Sequence, residues 1–124
     1  MPQDWEVLRQ RVHDFAIERD WEQFHTPKNL AMALTGEVGE LVTELQWKTD
    51  REITEALQSG ELRNRIKQEA ADVLIYLLRL ADVCGFDLLG AAKEKIELNS
   101  RRYPVHLAKG NARKYDEFQG DSWQ

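Results

Sequence analysis

Between residues 27 and 47 the apolar positions Leu30, Leu34, Val38, Leu41 and Leu45 recur every three or four residues. That spacing aligns one face of a helix. The period returns between residues 61 and 83 as Leu62, Ile66, Val73, Leu77 and Leu80. Punctuation agrees with both helices. Thr26 stands as an N-cap before Pro27, and Gly85 follows the third helix as its C-terminal stop. A first helix, capped by Asp4, runs through Trp5, Leu8, Val12, Phe15 and Ile17 towards Phe24. Asp50 to Gln58 reads as a short helix or turn closed by Ser59 and Gly60, and a fourth helix is capped by Asp87 and ends before Pro104. The pattern predicts an all-α, four-helix-bundle-like chain with a short connecting helix. Residues 1–124 form one domain, with a core over about 5–103 and an irregular tail over 104–124.

Polar residues change this picture where they border the apolar stripes. Glu37 and Glu40, like Glu69 and Asp72, are spaced i, i+3, so each pair points two carboxylates from one helix face. Antiparallel packing across the Lys48–Gly60 connection would set both pairs on the order of 10–17 Å from that turn, at about 1.5 Å per residue. Four acids brought together repel one another and take up protons unless cations neutralise them. Carboxylates without histidine suit Mg²⁺, with Mn²⁺ as the alternative, rather than the iron of Glu-x-x-His bundles. Charged pairs at this spacing are also common on solvated faces, and the combination of two level-matched pairs is what separates the readings. Gly36 and Gly39 interrupt the second helix beside its acids. Close approach of a neighbouring helix and room for a ligand both explain them.

Composition narrows the classes. A net charge of −5 argues against a DNA or RNA binder, although Arg101, Arg102, His106, Lys109, Arg113 and Lys114 gather near the C-terminus. No apolar run reaches membrane-spanning length, and the N-terminal MPQDWEVLRQ lacks a signal-peptide pattern. The single cysteine, Cys84, suits a reducing cytoplasm and reads as a packed thiol at an apolar helix end.

The run RDWEQFHTPKNL, followed by GEVGEL, QWKTD, EAADVLIYLLRLAD, NSRRYP and ARKY, resembles the MazG-type all-α nucleotide pyrophosphohydrolases over about residues 5 to 118. The aromatic-rich WEQFH and QWK segments resemble the dCTP pyrophosphatase branch. This likeness implies Mg²⁺-dependent cleavage of a nucleoside triphosphate between its α and β phosphates. It implies Glu37, Glu40, Glu69 and Asp72 as metal ligands and catalytic acids. Trp21, Glu22, Gln23, Phe24, His25, Trp47 and Tyr76 match positions that hold the nucleotide, and Asn99, Lys109, Arg113 and Lys114 match the region of polar and phosphate contacts. A homodimer or homotetramer completed across subunits is implied as well. Vertebrate relatives carry a substrate-contacting histidine where this chain has Val12. His13, one residue later and turned by about 100° on a helix, does not inherit that role and reads as a surface or interface histidine.

The expected reaction follows. Glu40 is the candidate general base for the attacking water, Trp21 and Trp47 stack on the base, and Gln23, His25 or nearby backbone groups read its edge. The expected substrates are dCTP and its 5-modified forms. A dUTP-directed or broad-specificity housecleaning pyrophosphatase uses the same acids, whereas a non-catalytic helical interaction module would use them only to solvate a surface.

Overall fold

Thr26 caps its helix as its place before Pro27 predicts, its Oγ1 accepting from the Asn29 backbone N–H at 3.1 Å. The structure is a computed structural model that describes residues 2–118, with side chains described from residue 4. It is all-α over those residues and comprises two compact units, Met1–Phe86 and Asp87–Gln124.

The first unit contains α1 (Pro2–Glu18), α2 (Pro27–Thr43), α3 (Asp50–Ala56) and α4 (Glu61–Cys84). Helix α4 packs against α1, α2 and α3. Glu44, just past α2, bonds Arg65, while Glu40 meets Glu69, so residue numbers fall along one helix as they rise along the other. Helices α2 and α4 are therefore antiparallel. Ala16, Leu30, Leu62, Leu78 and Ala81 are buried at the centre of this unit, where removing apolar surface from water supplies the main driving force.

Helix α1 stops earlier than its apolar period predicts. Asp20 adopts φ 55°, its N–H donates to the Ile17 carbonyl at 3.0 Å, and the Trp21 N–H donates to the Ala16 carbonyl at 3.0 Å. That is a Schellman stop built on aspartate, which tolerates the left-handed region better than most side chains. Residues Glu22–Phe24 then form a separate 3₁₀ turn. Gly85 ends α4 by the same geometry at φ 80°, as its position predicts. The α-helical part of α2 ends at Thr43 rather than near Trp47, and turns continue the chain.

In the second unit are α5 (Leu88–Arg102), α6 (Val105–Ala108) and a 3₁₀ turn over Tyr115–Phe118. The tail is thus more regular than its sequence suggests. Phe118 is buried and edge-on to Tyr103 at 5.9 Å, with the Arg113 guanidinium 4.9 Å from its ring centre. Asp87 precedes α5 but its side chain makes no cap bond. Cys84 is exposed, against its expected packing, because it is the last residue of α4, where the helix runs out beyond the buried Leu78 and Ala81.

Candidate active site

Pairing Glu44 with Arg65 at 2.8 Å fixes the level of α2 against α4. One turn further along α2, Glu37 and Glu40 meet Glu69 of α4, and one carboxylate oxygen from each lies within 4.8 Å of the others. Burial, then the charges of Glu40 and Asp72, push the Glu37 carboxyl above its ordinary range. Contact with the Glu40 carboxyl, followed by desolvation and the charges of Glu40, Asp72 and Glu37, pushes Glu69 up as well. Asp72 thus acts electrostatically on both glutamates, as its place one turn after Glu69 predicts. Oε2 of Glu37 and Oε2 of Glu69 are shielded from solvent and make no hydrogen bond among the described residues. Paired orphan oxygens of this kind are costly unless a cation or protons satisfy them. The donor set is all oxygen, which fits a hard divalent cation. Glu44, just past the end of α2, is neutralised by Arg65 and stands outside this cluster.

Around Gly36 and Gly39 the space is open. An added Cβ at either position would meet nothing within 4 Å. Within the chain, close helix approach does not account for them, and room beside the backbone remains.

A cavity of about 310 Å³ adjoins these acids. Asp72 lies on its wall: its charge bears on Glu37 and Glu69, but its carboxylate is not among the three that meet within 4.8 Å, so the expected four-acid cluster is a three-glutamate cluster with Asp72 beside it. Trp21, His25 and Tyr76 line it with Val12, Phe15, Ala16, Ile75 and Arg79. Trp21 reaches it because the Asp20 stop turns the chain just before the indole, which meets Phe15 edge-on at 5.7 Å and His25 at 6.3 Å. The wall is mainly apolar with a few convergent polar groups, the usual character of a small-molecule site. Trp21, His25, Tyr76 and Asp72, separated by up to 55 positions in sequence, come together here.

Other predicted residues lie elsewhere. Gln23 directs its amide at the Asp20 carbonyl at 3.1 Å and at the Asp20 carboxylate at 3.2 Å. Glu22 and Phe24 are exposed on the same 3₁₀ turn and do not line the cavity. Trp47 is 87 % exposed and apart from the cavity, so the two tryptophans do not face one another within the chain. Asn99, Lys109, Arg113 and Lys114 belong to the second unit. There Asn99 caps the end of α5 through its carbonyl, and Arg113 donates to the Glu117 carbonyl at 2.7 Å.

Two residues gain roles that their sequence positions did not suggest. Arg79, only 5 % exposed, donates to Nδ1 of His25 at 2.9 Å and also meets His13 and Asp82. Its signal was a lone charge inside the apolar LLRLA run, one turn after Tyr76. His13, expected at a surface or interface, joins this network. It is half-buried, with Nδ1 3.0 Å from Arg79 and 3.5 Å from Asp82.

Comparison with known proteins places this geometry. The model of the MazG-like family matches residues 33–118. The chain is 52 % identical to human (Homo sapiens) dCTP pyrophosphatase 1 over 112 residues, and 50 % identical to the Bos taurus protein of the same name over 112 residues. Each match covers 90 % of this chain and 66 % of the relative, so the chain spans just under two thirds of those proteins' length. Among solved structures, a pyrophosphatase from Archaeoglobus fulgidus is similar at a TM-score of 0.75 and 40 % identity, over 82 % of this chain and 93 % of that one.

Proposed function

The chain belongs to the MazG-like family, and we propose that it is a Mg²⁺-dependent pyrophosphohydrolase converting dCTP, and dCTP modified at C5, to dCMP and pyrophosphate. The observation that carries this reading is the joining of two sites through Asp72. An acid cluster with two orphan oxygens lies beside an aromatic cavity of nucleobase character. Similarity to the dCTP pyrophosphatases supports the choice of base.

Glu37, Glu40, Glu69 and Asp72 would hold the cation, which neutralises triphosphate oxygens and acidifies water when bound. Glu40 is the exposed member of the clustered glutamates and is the assigned acceptor of the proton from the water that attacks the α-phosphorus. The bond from that phosphorus to the bridging oxygen breaks, and pyrophosphate leaves with the electron pair. Trp21 offers an aromatic face to the base, worth roughly 1–3 kcal/mol of stacking. Tyr76, on the cavity wall one turn after Asp72, is assigned a contact with the nucleotide. Asn99, Lys109, Arg113 and Lys114 are assigned the phosphate-side contacts that the family resemblance gives them.

The reading includes a homodimer or homotetramer in a cytoplasmic setting. Exposure of Met32, Val42 and Trp47, at 65 %, 47 % and 87 %, supports assembly, and a second copy is the assigned source of the Trp47 contact. No helix among the described residues is long and apolar enough to cross a membrane.

The test is pyrophosphate release from a panel of dNTPs and NTPs with Mg²⁺, beside Glu40→Gln and Glu69→Gln. Release from dCTP that disappears in both variants and in EDTA supports the reading. Preference for dUTP, or equal turnover across the panel, replaces it with a dUTP-directed or broad pyrophosphatase. Release from no nucleotide by the folded protein leaves the interaction module.

A further inference from the structure

The buried Arg79 is the one cation on the cavity wall that reaches a predicted base-reading residue. Its guanidinium has five N–H donors and no acceptor. Where Nε approaches Nδ1 of His25 at 2.9 Å, Nδ1 must therefore supply a lone pair. A neutral imidazole with its lone pair at Nδ1 carries its proton at Nε2. Nε2 makes no hydrogen bond among the described residues, and the ring lines the cavity. Burial and the Arg79 charge both depress the His25 pKa, which keeps the ring neutral.

Arg79 is itself held firmly. Nη1 lies 3.0 Å from Nδ1 of His13 and 3.4 Å from Asp82, and Asp82 is anchored in turn by Arg9 at 2.9 Å. Asp82 supplies the countercharge that a buried guanidinium requires. The chain of contacts runs from α1 through α4 to the turn that carries His25, so the imidazole is fixed from behind.

We propose that Arg79 is a positioning residue that holds His25 as its Nε2–H tautomer, so that the cavity presents a hydrogen-bond donor to the base and selects cytosine over uracil and thymine. This rests on the nucleotide reading above. Cytosine offers an unprotonated ring nitrogen, N3, to such a donor. Uracil and thymine carry N3–H, so donor would meet donor and both would be left unpaired in a desolvated site. The O2 carbonyl is common to all three bases and does not discriminate, which places the selective bond at N3.

Two measurements on the full chain test this. In the nucleotide-free protein, long-range ¹H–¹⁵N spectra, with His25 assigned through His25→Gln, should show a pyridine-like Nδ1 and a pyrrole-like Nε2. In Arg79→Met, the ratio of kcat/KM for dCTP over dUTP should fall by about tenfold or more, with Arg79→Lys retaining part of it. A merely structural role would lower both kcat/KM values together and leave their ratio unchanged. A wild-type His25 protonated at Nδ1 overturns the proposal, as does an unchanged ratio in folded Arg79→Met. Should the methionine variant fail to fold, the wild-type spectrum and the ratio in Arg79→Lys decide. A correct tautomer in an enzyme that hydrolyses nucleotides without preferring dCTP over dUTP overturns the selection step. Loss of all pyrophosphate release in the wild type removes the proposed function as well, and the two failures are thereby distinguished.

Discussion

Glu44 accepts a 2.8 Å hydrogen bond from Arg65 across α2 and α4, while Glu40, one turn away, faces other carboxylates. Neighbouring acids on one helix thus have opposite surroundings. The first is neutralised by Arg65, and the second belongs to a cluster that no ion pair neutralises among the described residues.

Glu44→Ala should lower stability by about 1 kcal/mol or less, since the Arg65 partner is substantially exposed. The loss should be the same with and without Mg²⁺. Glu40→Gln should behave oppositely, stabilising the metal-free protein by removing repulsion and abolishing stabilisation by Mg²⁺. Chemical denaturation of both variants in EDTA and in Mg²⁺ checks the contrast.

Metal addition should raise the stability of the wild type by about 2.7 kcal/mol when Mg²⁺ stands at a hundred times its Kd. EDTA should reverse the gain. Differential scanning calorimetry across a Mg²⁺ titration reads it directly, and a flat response would remove the cation from the site.

The pH dependence of the metal-free protein has a definite sign. In the unfolded chain the carboxyls of Glu37 and Glu69 ionise near the ordinary value of 4.5, whereas the folded cluster raises both. Their contribution is fully present below about 4.5 and is lost as pH rises through the raised values. Stability of the wild type minus that of Glu37→Gln or Glu69→Gln should therefore fall from acid to neutral pH. Saturating Mg²⁺ should remove that fall, because the bound ion favours the ionised carboxylates.

Trp21→Ala should reduce kcat/KM for dCTP by about 10- to 100-fold, the equivalent of one base–aromatic stack. Because Trp21 is 43 % exposed, thermal stability should change far less than activity. Steady-state kinetics beside a melting curve separate the two effects.

Much of this site was legible along the chain because helices convert spacing into direction. The meeting of Glu37 and Glu40 with Glu69 could be read from their intervals and the position of the turn, and Thr26 and Gly85 marked helix ends by their chemistry. Asp20 carries no such mark, because a left-handed stop is ordinarily signalled by glycine, and the apolar period of α1 runs on past it towards Phe24. Arg79 carries none for another reason. Its role depends on His25, 54 positions away, and no local period reports that contact. Gln23 was expected to read the base, yet the nearer Asp20 takes its amide.

Helix α4 carries Glu69, Asp72, Tyr76 and Arg79 on consecutive turns. At 1.5 Å per residue it spaces Glu69 of the acid cluster from Arg79 of the cavity wall by about 15 Å. The helix is therefore a ruler for this face of the unit, and its graduations cannot be edited singly. One residue inserted between Asp72 and Tyr76 would rotate everything beyond it by about 100°, carrying Arg79 away from His25 while leaving the acids in place. Length variation should therefore be excluded from this stretch of α4, which should be inherited whole.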